Sequence, residues 1–195
     1  MNRVKYIGLD ISTSIIGVSL LDLNGDLINL ENINLKKLSC IFNKSKIVKD
    51  SFTSYKEKYF FEEDINLSIE ESFQSFSKGF SSAKTLSQLN RFNGIVSYIA
   101  SEVYSVVPDY INVNSARKNL GIKLNKKLDK NTKEQVFDWV KEDFKKNNFI
   151  FEWPERILSR GPNKGSVKFD DCCYDMSDAY VICKAALYNE RIKHK

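Results

Sequence analysis

Apolar positions are dense over residues 4–11 (VKYIGLDI) and 14–23 (SIIGVSLLDL), the pattern of two buried strands. Asn24-Gly25 is a two-residue hairpin turn of the favoured kind, and residues 26–33 continue as a third strand with imperfect alternation. Three strands on short turns make an antiparallel meander. Residues 44–63 place Ile47, Val48, Phe52, Tyr55 and Tyr59 at helical spacing, and residues 65–70 (INLSIE) read as a fourth strand. Residues 72–82 are rich in Ser, Phe and Gly and predict a mobile connection. A long amphipathic helix follows over 83–106, with Leu86, Leu89, Ile95, Tyr98, Ile99 and Val103 on its apolar side, and Pro108 ends it. Residues 110–113 predict a short fifth strand and 133–145 a helix carrying Val136, Phe137 and Val140. Residues 159–167 hold Gly161, Pro162 and Gly165 and read as a loop, and 172–191 as a closing helix. The order β-β-β-α-β-α-β-α-α predicts an α/β fold: a mixed five-stranded sheet, antiparallel over its first three strands, flanked by helices.

The chain has 195 residues, enough for one sizeable core and short for two, so a single domain over 1–195 is expected. No apolar run reaches the roughly 18 residues of a membrane span, and residues 1–8 lack the apolar core and cleavage site of a signal peptide. A cytoplasmic protein is expected. The four cysteines, Cys40, Cys172, Cys173 and Cys183, form no CxxC pair, and His194 is the one histidine. This argues against a zinc site and against Ser-His-Asp or Cys-His hydrolysis. Vicinal Cys172 and Cys173 are expected to be reduced and partly buried. The net charge of +5 is concentrated: residues 115–147 carry ten Lys or Arg against five Asp or Glu. Such a stripe suits a phosphate backbone, and equally a solvated lysine-rich surface.

Four acids stand out by position. Asp10 lies inside an apolar strand, where a carboxylate is costly unless paired or bound to metal. Glu70 ends another apolar run, and Asp175 and Asp178 are three apart on the closing helix, on a face that continues into Val181 and Ile182. Brought to one point they repel one another unless a divalent cation neutralises them. Oxygen-only ligands favour two Mg²⁺ ions, with Mn²⁺ able to substitute. Taken singly, Asp178 is equally a solvated helix charge and Glu70 a strand-end residue. Asp10 is harder to dismiss.

These residues resemble a known family. Ile7-Gly8-Leu9-Asp10-Ile11-Ser12-Thr13-Ser14, with Gly17 after it, is similar to the first motif of RuvC-type Holliday junction resolvases, especially phage-borne ones. Leu67-Ser68-Ile69-Glu70-Glu71-Ser72-Phe73 resembles the second motif, the stretch with Gln88 and Arg91-Phe92-Asn93-Gly94 the helix after it, and Asp175-Met176-Ser177-Asp178-Ala179 the final D-x-x-D-A motif. The resemblance implies an RNase H-like nuclease domain whose catalytic and metal-binding acids are Asp10, Glu70, Asp175 and Asp178. It implies a homodimer that cuts four-way DNA junctions, with no nucleotide cofactor and no membrane. Glu70 is chosen over Glu71 on motif register, since neighbouring strand residues face opposite ways. Asp170 and Asp171 are rival carboxylates, Asp171 four residues before Asp175. Phe73 matches an aromatic that enters the junction centre, with Phe76 and Phe80 as neighbours; stacking on a base and packing on the core are both open to it. Further DNA contacts are expected from Lys78, Arg117, Lys118, Lys123, Lys126 and Lys127, with a lysine within 118–130 holding the scissile phosphate. The segment between Phe149 and Asp170 is longer than the family pattern, and its Arg156, Arg160 and Lys164 are either DNA contacts or a surface loop.

The expected chemistry is two-metal-ion phosphodiester hydrolysis, with Asp10 bridging the ions. Three rivals share the fold: an actin-like or sugar-kinase ATPase, a non-catalytic nucleic-acid-binding module, and a nuclease acting on RNA or on other branched DNA. The ATPases need a duplicated second lobe, and no second copy of the Asp10 pattern is present.

Overall fold

The computed structural model describes residues 3–71 and 83–193. A five-stranded sheet has the order β3-β2-β1-β4-β5, built from β1 (Val4–Ile11), β2 (Ile15–Asp22), β3 (Leu27–Asn34), β4 (Phe61–Glu70) and β5 (Asp109–Ile111). The first three strands pair antiparallel, and β4 runs parallel to both β1 and β5. This is the expected mixed sheet. β1 is its central strand, which explains a run that is apolar on both faces.

Strand alternation divides the core in two. On one face Ile7, Leu9, Ile16, Val18, Leu67 and Ile69 pack against α1 (Ile41–Lys58) and α2 (Ala83–Tyr104) through Phe52, Phe92 and Tyr104. On the other, Tyr6, Ile15 and Leu21 face α5 (Cys172–Lys193), against which α3 (Val113–Asn119) and α4 (Thr132–Lys146) pack in turn. Gly8 and Asp10 share the second face with Tyr6, being two and four residues on.

α5 lies directly on the sheet, because Gly8 and Gly17 leave room for its backbone. A Cβ at Gly8 would stand 2.5 Å from Cys183 Cβ, and one at Gly17 2.6 Å from the Asp175 carbonyl carbon. Residues 176–183 of α5 are all buried, so the helix is enclosed rather than amphipathic. α4 is tied to it where Tyr180 Oη donates to Asp143 Oδ2 at 2.7 Å and Lys184 pairs with the same oxygen at 2.5 Å. Cys172, Cys173 and Cys183 are buried free thiols, and burial pushes each of them up in pKa.

Several boundaries differ from expectation. The β2–β3 turn is longer than Asn24-Gly25, because the Asp22 amide donates to Asp26 O and Asp22 Oδ1 accepts from the Asn24 and Asp26 amides. α1 starts and ends earlier than 44–63, since β4 takes up residues from Phe61 for parallel pairing with β1. The strand expected over 110–113 stops at Ile111: Asn112 Oδ1 accepts from the Asn114 and Ser115 amides and opens α3, a helix the periodicity did not reveal. The loop over 159–167 is flanked by a second sheet, the hairpin of β6 (Glu155–Ile157) and β7 (Val167–Phe169). The connection expected over 72–82 lies outside the described residues.

Candidate active site

Asp10 is the one position of β1 that is not fully buried. Its neighbour in the sheet follows from register: Leu9 pairs with Ile69, so the next residues along, Asp10 and Glu70, stand side by side at the ends of parallel strands. Glu70 shares a face with Ser68 and projects toward α5, whereas Glu71 is met by the Asn112 amide group at 3.4 Å. From α5, Asp175 and Asp178 come down onto the same place, held close by the Gly17 floor beneath Asp175. Asp178 is buried, at 5% exposure.

The electrostatics are those of a crowded anionic cluster. Burial raises the Asp10 carboxyl well above the usual range, and the charges of Glu70, Asp178 and Asp175 raise it further. Burial and Asp178 push Glu70 up to about 7, against a hydrogen bond from Asp10 and the opposing charges of Arg117 and Lys133. Asp175 is also raised, by burial and then by Asp178, with Lys133 and Lys36 acting the other way. Two cations reach in. Arg117, in the last turn of α3, donates from Nη2 to Asp178 Oδ1 at 3.0 Å. Its Nε is buried without a hydrogen-bond partner among the described residues. Lys133, in the first turn of α4, stands 3.6 Å from Asp175 Oδ1. Burial disfavours the Lys133 charge, but Asp175, Asp10 and Asp178 together raise its pKa.

The four expected acids are thus brought together. The rivals are engaged elsewhere: Asp170 Oδ1 accepts from the Cys172 amide at the start of α5, and Asp171 pairs with Arg156 at 3.0 Å and Lys168 at 3.8 Å. Among the basic residues, Arg117 lies in the cluster itself, and Lys118 and Lys123 line a shallow groove beside it with Asn114 and Leu124. Lys126 and Lys127 are exposed farther along the same connection. Phe73, Lys78, Phe76 and Phe80 lie outside the described residues. The sequence reading missed Lys133, looking for a lysine over 118–130. The signal was there in Asn131-Thr132-Lys133-Glu134, a capping box that fixes the helix start and so the position of the lysine.

Compared by sequence, the chain matches no protein-family model and no curated protein. Thermus thermophilus RuvC in complex with a Holliday junction substrate superposes with a TM-score of 0.62 at 13% identity, over 95% of this chain and 94% of that one. A second Thermus thermophilus RuvC structure gives a TM-score of 0.57 at 13% identity, over 96% and 95%. The chain shares the fold of RuvC. The sheet order, the antiparallel first three strands and the flanking helices are those of the RNase H-like architecture. The RuvC likeness spans almost the whole chain.

The donor set can be tested against the implied divalent cations. Four carboxylates with no nitrogen or sulfur donor suit Mg²⁺ or Mn²⁺ chemically. Burial first, and then mutual repulsion, raises the carboxyls of Asp10, Glu70 and Asp175. Among the described residues, no three His, Cys, Asp or Glu side chains are already arranged to hold a metal ion. Arg117 and Lys133 take up one carboxylate each. The residues fit a divalent cation in chemistry.

Proposed function

We propose that this chain is a structure-selective endodeoxyribonuclease that cuts four-way DNA junctions by metal-dependent phosphodiester hydrolysis, acting as a homodimer. The observation that supports this reading best is the gathering of Asp10, Glu70, Asp175 and Asp178 at one place in a RuvC-like fold, where three of them resist ionisation.

Asp10, Glu70, Asp175 and Asp178 would hold two Mg²⁺ ions. When bound, the ions supply an activated water for attack and stabilise the leaving 3′ oxygen. The chain's own residues supply the rest. Asp10, fixed in the central strand, sets the position of the cluster. Glu70, pushed up to about 7 in the metal-free protein, would give up its proton as a divalent cation binds. Arg117 and Lys133, released from their carboxylates, turn to the scissile phosphate, and the unused Nε of Arg117 is a donor ready for it. Lys118 and Lys123 continue this positive surface outward along the groove, with Lys126 and Lys127 beyond. Lys78 and Phe73, in the connection after β4, complete the DNA contacts, Phe73 by stacking. No helix among the described residues is long and apolar enough to cross a membrane, and the proposed site of action is the cytoplasm.

The test is cleavage with Mg²⁺ across four substrates: a synthetic four-way junction, a flap, a duplex and an RNA–DNA hybrid. Wild type is expected to cut the junction preferentially, and Asp10→Asn to lose more than about 100-fold in rate. Equal cutting by Asp10→Asn overturns the metal site, and preference for the flap or hybrid overturns the junction assignment.

A further inference from the structure

The segment that sequence reading found too long for the family pattern is a built element. β6 and β7 pair antiparallel as Glu155 with Phe169, Arg156 with Lys168 and Ile157 with Val167. Alternation puts Arg156 and Lys168 on one face of the hairpin, and Ile157, Val167 and Phe169 on the other. Its root is fixed at two points. The rings of Trp153 and Phe169 stand edge-on to Phe137 at 4.8 and 5.1 Å, and Phe137 is one turn beyond Lys133 on α4. Arg156 pairs at 3.0 Å with Asp171, one turn before Asp175 on α5. The hairpin is therefore anchored on the two helices that carry candidate site residues, beside the carboxylate cluster.

Its tip is closed by its own backbone. The Leu158 amide donates to Ser166 O at 3.0 Å, Gly165 to Leu158 O at 2.8 Å and Lys164 to Gly161 O at 3.1 Å. Gly161 and Gly165 take positive φ of 85° and 89°, which the tight turns require. Residues 159–169 are all exposed. Residues 155–169 carry four basic side chains against the single acid Glu155. Two of the four, Arg156 and Lys168, share an ion pair with Asp171 at the root, whereas Arg160 and Lys164 at the tip have no ion pair among the described residues.

We propose that the β6–β7 hairpin is a second DNA-gripping element, in which Arg160 and Lys164 contact the phosphodiester backbone of a duplex arm next to the cleavage site. Charge complementarity selects this occupant: two uncompensated cations on a shaped projection, rooted on the helices of an anionic catalytic cluster, match a polyanion leading into that cluster. The inference rests on the nuclease reading above and deepens it.

The experiment measures binding of a labelled four-way junction by fluorescence anisotropy, from about 50 to 200 mM salt, on an Asp10→Asn background that leaves the DNA uncut. Adding Arg160→Ala and Lys164→Ala is expected to weaken binding several-fold. The slope of log K against log salt should shrink by about 1.8, or about 0.9 per phosphate contact. The exchanged pair Arg160→Lys with Lys164→Arg is expected to restore both affinity and slope, which a merely structural loss would not allow. If wild type binds and cuts the junction but the double alanine variant keeps the parental affinity and slope, the hairpin proposal falls alone. If the unaltered chain binds neither junction nor duplex, the nuclease reading and the hairpin proposal fall together.

Discussion

Asp10 is the residue on which the site turns. It occupies the central strand of the sheet, beside a second carboxylate and beneath two more, and its environment drives it toward the neutral form. Folded-state pKa values of Asp10, Glu70 and Asp175 lie above their unfolded values, so the folded protein retains protons that the unfolded chain releases. For Glu70 the stabilisation is fully present below the unfolded value of 4.5 and is lost as pH rises through about 7. Thermal melts in chelator should show the contribution of these acids declining across that window. Above pH 7 without metal, Asp10→Asn is expected to melt higher than wild type, by about 2–4 °C for each kcal/mol of repulsion removed. Arg117 behaves in the opposite sense. Its ion pair with Asp178 has side-chain exposures of 13% and 7%, so Arg117→Ala strands a buried carboxylate. Urea unfolding in chelator should show a loss of about 3 kcal/mol, smaller when Mg²⁺ is present to replace the missing charge.

At the scale of elements, α5 is the piece that must be placed correctly. It carries Asp175 and Asp178 and sits on a floor made of Gly8 in β1 and Gly17 in β2. Gly17→Ala is expected to push the helix away at Asp175, costing about 1–3 kcal/mol by overpacking. Because the strain falls beside the carboxylates, cleavage should drop further than stability explains, and a junction-cutting assay with a parallel melt separates the two. Much of the element order was legible in the sequence, because the sheet strands and long helices have strong periodicity. α3 was not. Seven residues give barely two turns, and its start depends on an Asn112 side chain closing onto two amides. The β6–β7 strands were missed for a similar reason: each has three residues, too few for alternation to register.

At the scale of the molecule, the two hydrophobic clusters lie on opposite faces of one sheet, and the carboxylates open at the end of its α5 face. Divalent cation binding to the folded state alone should stabilise the whole. Wild-type protein is expected to melt higher as Mg²⁺ or Mn²⁺ is added, by about 2.7 kcal/mol at a hundredfold excess over Kd, and Asp10→Asn to respond far less. The proposed homodimer predicts a sedimenting mass near 45 kDa, twice the 22.5 kDa of the chain. A mass that stays at the single-chain value with and without junction DNA would remove the dimer from the proposal.

The sequence by itself determined which acids were candidates. A charge inside an apolar strand is conspicuous in one dimension; strand alternation set Glu70 and Glu71 on opposite faces, and motif register chose between them. It also carried the order of the sheet elements, since burial on both faces of a central strand leaves an unbroken apolar run. Only the tertiary structure decided which charges meet. Arg117, Lys133 and Asp178 are separated along the chain by a turn, a loop and two helices, and no local pattern encodes their distance. The same holds for Asp171, which looked like a fifth ligand one turn before Asp175 and is instead taken by Arg156 from the hairpin. Electrostatic pairing falls off with distance in space, and that distance is set by how α3, α4 and α5 pack over the sheet.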